Sequence, residues 1–195
     1  MRVIAGEKRH LLLKTLNDLS IRPTTDKIKE TLFNMIQFDI AGSNFLDLFA
    51  GTGAIGIEAL SRGANFACFV DNSPASIKVI NENLEHTKLI DRARVLRRDA
   101  SSAIDELERE EKVYNIVFMD PPYDKKLYVP VFERLEESKI INNETTIILE
   151  TNLKDDVSEL EKLGFIVKRV KEYKTNKHVF LHRRGEHCEP ERIML

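Results

Sequence analysis

Gly51-Thr52-Gly53-Ala54-Ile55-Gly56 follows the apolar run Phe45-Leu46-Asp47-Leu48-Phe49 and leads into a helical pattern over 54–62. Glycines at this spacing let a strand turn tightly into a helix and let a ligand approach bare backbone. The sequence beyond agrees with that geometry. The β-type runs Phe66–Asp71, Ala93–Leu96, Ile116–Asp120 and Thr146–Glu150 alternate with helical stretches near 74–88, 100–110, 125–138 and 154–163. Such alternation predicts an α/β, doubly wound sheet. The end of the chain breaks the rule. Phe165–Tyr173 and His178–Arg183 are separated only by Lys174-Thr175-Asn176-Lys177, so no helix fits between them and an antiparallel hairpin closes one edge. The expected object is a Rossmann-like, seven-stranded sheet with its last strand reversed.

Three regions are expected. Residues 1–43 form an extension: Arg2–Ala5 pairs with Leu11–Leu13 around Gly6–Arg9, and a loop over Ser20–Thr25 precedes a helix. That helix carries Ile28, Leu32, Phe33 and Ile36 on one face, with Thr25 or Asp26 as its N-cap. Residues 44–184 form the main domain. Residues 185–195 show no pattern and are expected to fray.

With 195 residues the chain is long enough to bury a full core. Its 30 Lys+Arg nearly balance 32 Asp+Glu, which excludes a polycationic tail protein. The balance hides an asymmetry. Residues 1–37 hold seven cations against four acids, residues 165–184 seven against one, and residues 101–164 eight against sixteen. Basic ends can present one face to a phosphate backbone; alternatively the hairpin at 165–184 is simply solvated. No apolar run reaches the ~18 residues of a membrane span. Met1–Gly6 lacks a signal-peptide core, and Cys68 and Cys188 form neither a disulfide framework nor a zinc motif. The cytoplasm is the expected compartment, with no metal and no membrane partner.

Acidic residues end or follow four of the strands: Asp47, Asp71, Asp99 and Asp120. Asp71 lies twenty residues after Gly51, where a ribose-binding acid belongs. To this point a nicotinamide dinucleotide fits as well as S-adenosylmethionine. Electrostatics separates them. A pyrophosphate would be repelled by a ring of carboxylates, whereas a sulfonium and an ammonium would be attracted. Unit charges ~4 Å apart interact by roughly 4 kcal/mol at an effective dielectric of ~20. Asp47, just before the glycine loop, discriminates most sharply. Asp71 and Asp99 also have a plain reading as helix caps.

Asp120-Pro121-Pro122-Tyr123 follows the apolar strand. Two prolines fix φ and remove two donors, leaving a rigid turn that displays carbonyls, a carboxylate and a ring. Such a turn suits a flat base with an exocyclic amine. The carboxylate and a proline carbonyl accept from the amine, and Tyr123 stacks on the base, worth ~1–3 kcal/mol. A plain Pro-Pro turn after a buried strand is the simpler alternative.

Together these residues resemble the class I methyltransferases that act on exocyclic amines, and more closely the RsmD family of small-subunit rRNA guanine-N2 methyltransferases. The resemblance spans about Arg2 to Arg183. Its specific parts are Arg22-Pro23-Thr24-Thr25-Asp26 leading into Glu30-Thr31-Leu32-Phe33-Asn34, and Gly56-Ile57-Glu58-Ala59-Leu60-Ser61-Arg62-Gly63-Ala64. Leu46–Gly53 and Asp120–Tyr123 mark the wider class. The resemblance implies S-adenosylmethionine as cofactor and N2-methylation of one guanine of 16S rRNA, within the 30S subunit or an assembly intermediate. By motif, Asp47, Gly51 and Gly53, with Phe49, hold the methionine part. Asp71 with Asn72 holds the ribose, Asp99 with Ala100 the adenine, and Asp120, Pro121, Pro122 and Tyr123 the target base. Arg22, Thr24, Arg2, Lys8 and Arg9 are candidate RNA contacts. Arg22 either binds a phosphate or pairs with an acid near the cofactor. A monomer is the expected state.

Three other functions compete. An adenine-N6 methyltransferase acting on DNA or RNA uses the same loop, but the roughly 57 residues between Asp120 and His178 leave no room for a target-recognition region. A dinucleotide-dependent oxidoreductase leaves Asp47 and the Asp-Pro-Pro-Tyr turn unexplained. A non-catalytic ribosome-assembly factor would not need an intact catalytic loop.

Overall fold

The structure, a computed structural model, describes residues 1–16, 26–122 and 126–185. Its centre is formed by β1 (Asn44–Asp47) and β4 (Ile116–Met119), whose residues are almost all buried. Strands covered on both faces carry continuous apolar runs, and these two do. Outward on one side lie β2 (Phe66–Asp71) and β3 (Ala93–Arg97); on the other lie β5 (Thr146–Asn152), β7 (Asn176–Arg183) and β6 (Phe165–Glu172). The order is β3-β2-β1-β4-β5-β7-β6. β1 to β5 run parallel, and β7 is antiparallel to both β5 and β6. This is the doubly wound, seven-stranded sheet that the strand–helix pattern and the final hairpin predict. The chain passes from β1 outward through β2 to β3, then returns to place β4 on the far side of β1. The switch point, where ligands bind in open α/β sheets, is thus between β1 and β4.

Helices α3 (Ala54–Ser61), α4 (Pro74–Thr87), α5 (Ala100–Leu107), α6 (Tyr128–Glu137) and α7 (Glu159–Lys162) connect the strands. One apolar layer unites Leu46, Val117 and Leu149 with α5 and α6; the other unites Phe45, Ile116 and Phe118 with α3 and α4. Two helices start on side-chain caps: Ser73 accepts from Ser76 N, and Asp99 from Ser102 N. The helix expected over 154–163 is shorter than its sequence pattern. Asp155 accepts from Thr151 Oγ1 and Asn152 N, and Asp156 accepts from Ser158 N. These local bonds offer the backbone an alternative to helix, so only Glu159–Lys162 winds.

The first residues pack as part of the same core. Arg2 and Leu12 form an antiparallel bridge, and Val3 and Leu13 are buried beside Leu32 and Phe33 of α1 (Asp26–Met35). The short helix α2 (Gln37–Ile40) then leads to β1. Asp26 is the first helical residue, while Thr25 and the 17–25 loop lie outside the described residues.

Every residue of α3 is buried, including Glu58. Its carboxylate accepts from Ile4 N at 2.8 Å and Ala5 N at 3.0 Å, pairs with Arg62 at 2.7 Å and faces Lys29 of α1 at 3.3 Å. Lys29 Nζ in turn donates to Arg2 O at 2.6 Å. Ser61 completes the clasp: its hydroxyl donates to Ala5 O and accepts from Lys8 N. Three segments distant in sequence are held by one carboxylate. No helix among the described residues is long and apolar enough to cross a membrane.

Removing one partner of a buried ion pair leaves the other charge uncompensated. Glu58→Gln is expected to cost about 3–5 kcal/mol in urea unfolding. A loss below ~1 kcal/mol would show that the cluster relaxes without it.

Candidate active site

The turn after β1 is built by three glycines with different tasks. Gly51 and Gly53 sit at φ +54° and +77°, a left-handed backbone that side chains disfavour. Gly56 is a packing position: a Cβ there would meet Phe69 Cε1 at 2.3 Å. At Gly51 an added Cβ would meet nothing within 4 Å, so the loop offers bare backbone on an open side. Two polar side chains hold the loop. Asp71 accepts from Gly51 N at 2.9 Å and Ser73 N at 2.8 Å. Asn83 of α4 donates to Thr52 O and Lys14 O and accepts from Lys14 N.

The four carboxylates stand in different surroundings. Asp47 is sealed, at 1% exposure. Its Oδ2 accepts a long 3.3 Å bond from Gly56 N, and its Oδ1 finds no partner among the described residues. Burial is the main force that pushes its carboxyl up to about 7, with the Asp71 charge adding to it. A buried, unsatisfied acid beside an open glycine turn fits a cationic ligand better than a pyrophosphate. Asp71 is half-buried at the end of β2, and Asn72 beside it is exposed. Asp99 is exposed and caps α5, with backbone donation from Ser102 holding its carboxyl below the ordinary range. Its cap role accords with the simpler of the two readings offered by the sequence. Ala100 is buried and Phe49 half-buried against the core.

Asp120 follows β4 directly. Leu48 N donates to Phe118 O, so the two central turns are joined by backbone just before each leaves the sheet. Burial, then the charges of Glu150 and Asp47, drives the Asp120 carboxyl well above the carboxylate range. Pro121 is buried and Pro122 exposed. Tyr123 lies outside the described residues, as do Arg22 and Thr24.

The candidate RNA contacts differ from a free basic patch. Arg2 pairs with Asp26 at 2.9 Å, and Lys8 stands 3.9 Å from Glu7; Arg9 is exposed. The basic hairpin is partly consumed by structure. Lys177 donates to Leu153 O and Asp155 O, and Arg183 to the carbonyls of Glu136, Ser138 and Ile141. Lys168, Arg169 and Lys171 remain exposed on the edge strand β6, where charge also discourages edge-to-edge pairing. Sequence reasoning gave no part to Asn83, Glu150 or His178. Each is isolated among ordinary helix or strand residues: the packing of α4 brings Asn83 to the glycine loop, and strand order brings Glu150 and His178 together.

With Asp47 at about 7 against an ordinary 3.8, the folded state binds this proton more tightly than the unfolded chain. The associated stability is complete below 3.8 and is lost as pH rises through 7. Asp47→Asn is therefore expected to match the parent protein near about pH 4 and to exceed it by about 2–4 kcal/mol at about pH 8, in urea unfolding without ligand. A difference independent of pH would contradict the buried-acid assignment.

Comparison with known proteins agrees with this geometry. The model of the family described as "Conserved hypothetical protein 95" matches residues 1–182. The chain is 38% identical over 159 residues to "Putative rRNA methyltransferase YlbH" of Bacillus subtilis, covering 82% of this chain and 86% of that protein. It is 35% identical over 155 residues to "Ribosomal RNA small subunit methyltransferase D" of Escherichia coli K12, covering 80% and 76%. Among solved structures, "Putative methyltransferase yhhF" from Escherichia coli superposes with a TM-score of 0.80 at 31% identity, covering 95% of this chain and 99% of that one. The chain belongs to this methyltransferase family, the RsmD family.

Proposed function

We propose that the protein transfers a methyl group from S-adenosylmethionine to the exocyclic N2 of a guanine in 16S rRNA, in the 30S subunit or an assembly intermediate. The observation that carries this reading is the meeting of two turns at the β1/β4 switch point: a glycine turn backed by the unsatisfied Asp47, and the rigid Asp120-Pro121-Pro122 turn. The names of the small-subunit relatives support rRNA as substrate.

S-adenosylmethionine, when bound, supplies an electrophilic methyl on a sulfonium. Asp47 and the backbone of Gly51 and Gly53 would hold its methionine part. Asp71 would take the ribose; its two oxygens each accept one backbone N–H and retain lone pairs for hydroxyls. Asp99, with one bond to Ser102, would take the adenine amine. On the substrate side, Asp120 and the carbonyls of the proline turn accept from the amine. Those bonds hold the nitrogen in line and bias its lone pair away from the ring, so the residues act by alignment and by stabilising growing positive charge. Arg22 is assigned to an rRNA phosphate.

The test is methyl transfer from labelled S-adenosylmethionine to 30S particles lacking the modification, with naked 16S rRNA in parallel and nucleoside analysis of the product. N2-methylguanosine on particles is the expected product; N6-methyladenosine, in RNA or DNA, would replace the guanine reading. Asp120→Ala is expected to lower kcat by about 100-fold or more with cofactor binding retained. An Asp120→Ala protein that restored a deletion phenotype without the methyl group would support an assembly factor instead. Full turnover of Arg22→Ala on particles would remove that residue from RNA binding.

A further inference from the structure

Met119 and Leu149 are the last paired residues of β4 and β5, and Asp120 and Glu150 come next on these two parallel neighbours. Glu150 is nearly fully buried. Its Oε2 lies 2.9 Å from His178 Nε2, and its Oε1 accepts from Asn176 Nδ2, both on β7. Tyr173 OH lies 3.0 Å from His178 Nδ1. His178 is itself buried, edge-on to Phe118 and Phe180. The base-binding acid is thus backed by a buried chain of polar groups, Glu150–His178–Tyr173. The charges acting on Asp120 are carboxylates: Glu150 from β5 and Asp47 from β1. Two neighbouring carboxyls, Glu150 buried and Asp120 half-buried, do not both ionise cheaply, and such a pair titrates as one unit.

We propose that Glu150 is a positioning residue for methyl transfer: with Asp120 it forms a carboxyl pair that holds one proton, and His178 behind Glu150 gives that proton a place away from Asp120 when a base is bound. This rests on the reaction proposed above. An amine offering two N–H groups needs Asp120 ionised, and the shared proton then lies between Glu150 Oε2 and His178 Nε2. Once methylated, the amine nitrogen is cationic. Its N–H bond breaks, the electron pair stays on nitrogen, and the proton forms an O–H bond on Asp120. With the proton held between Glu150 and His178, the site now carries two protons and loses one to solvent. Asp120 accepts more weakly in this state, which favours release of the methylated base.

The test follows the carboxyl carbons of Asp120 and Glu150 by 13C NMR across pH in the full chain, without nucleic acid. In Glu150→Gln the Asp120 midpoint is expected to fall by about one pH unit or more, and in Asp120→Asn the Glu150 midpoint is expected to fall likewise. Unchanged midpoints in both variants overturn the proposal. If Glu150→Gln does not fold, Asp120→Asn decides alone. The acidic limb of kcat should move with the Asp120 midpoint in Glu150→Gln. A uniform loss of kcat at every pH would mark Glu150 as merely structural and overturn the positioning role. Failure of the base-methylation reading looks different: the unsubstituted protein makes no N2-methylguanosine, while the titrations still report whether the pair exists.

Discussion

The parallel pairing of β1 with β4 at the centre of the sheet is the constraint on which the rest of the molecule depends. Phe45, Leu46 and Asp47 register with Ile116, Val117 and Phe118. Both strands are covered on two faces and so cannot shift without moving both apolar layers. Their turns leave the sheet side by side, linked by Leu48 N to Phe118 O. The glycine turn and the proline turn therefore leave neighbouring strands although more than sixty residues separate them in the chain. The alignment mechanism proposed above needs that rigidity, because it asks little other chemistry of the side chains.

Buried charge is handled in two opposite ways. Glu58 is surrounded by Lys29, Arg62 and two backbone N–H groups. Its charge is compensated, and it anchors the N-terminal segment and α1 to α3. Toward the carboxyl end of the sheet, Glu150 and Asp47 act on Asp120 as like charges, and Asp71 acts so on Asp47. A cluster of that kind costs stability in the free protein. In the reaction proposed above, a sulfonium, an ammonium and an amine that turns cationic would each relieve that repulsion.

Much of this was legible in the residues themselves. The strand runs, the final hairpin, the Gly51–Gly56 turn and the Asp120–Pro122 turn are local signals, and the structure places both turns after the two central strands. Other features were not legible. Glu58 stands in the sequence only as part of the Gly56–Ala64 motif, yet it is the anchor of three segments. The helix expected over 154–163 shrinks because Asp155 and Asp156 bond to their own neighbours. Lys177 and Arg183 count as surface charge in the composition but serve backbone carbonyls in the fold. Each of these depends on a partner far away in the chain or on a competition that periodicity does not register.

The amino-acid order by itself determined which segments become strands and helices and which two turns carry chemistry, because propensity, glycine and proline effects act within a few residues. Tertiary structure alone decided how those turns meet, which acids are buried and which are solvated. Asp47 and Asp99 look alike in the sequence, but one is sealed behind the glycine turn and the other caps a helix in water. Their proton affinities move in opposite directions for that reason. Desolvation and like-charge repulsion are properties of assembled surroundings, and only strand order sets Glu150 beside Asp120 with His178 behind it.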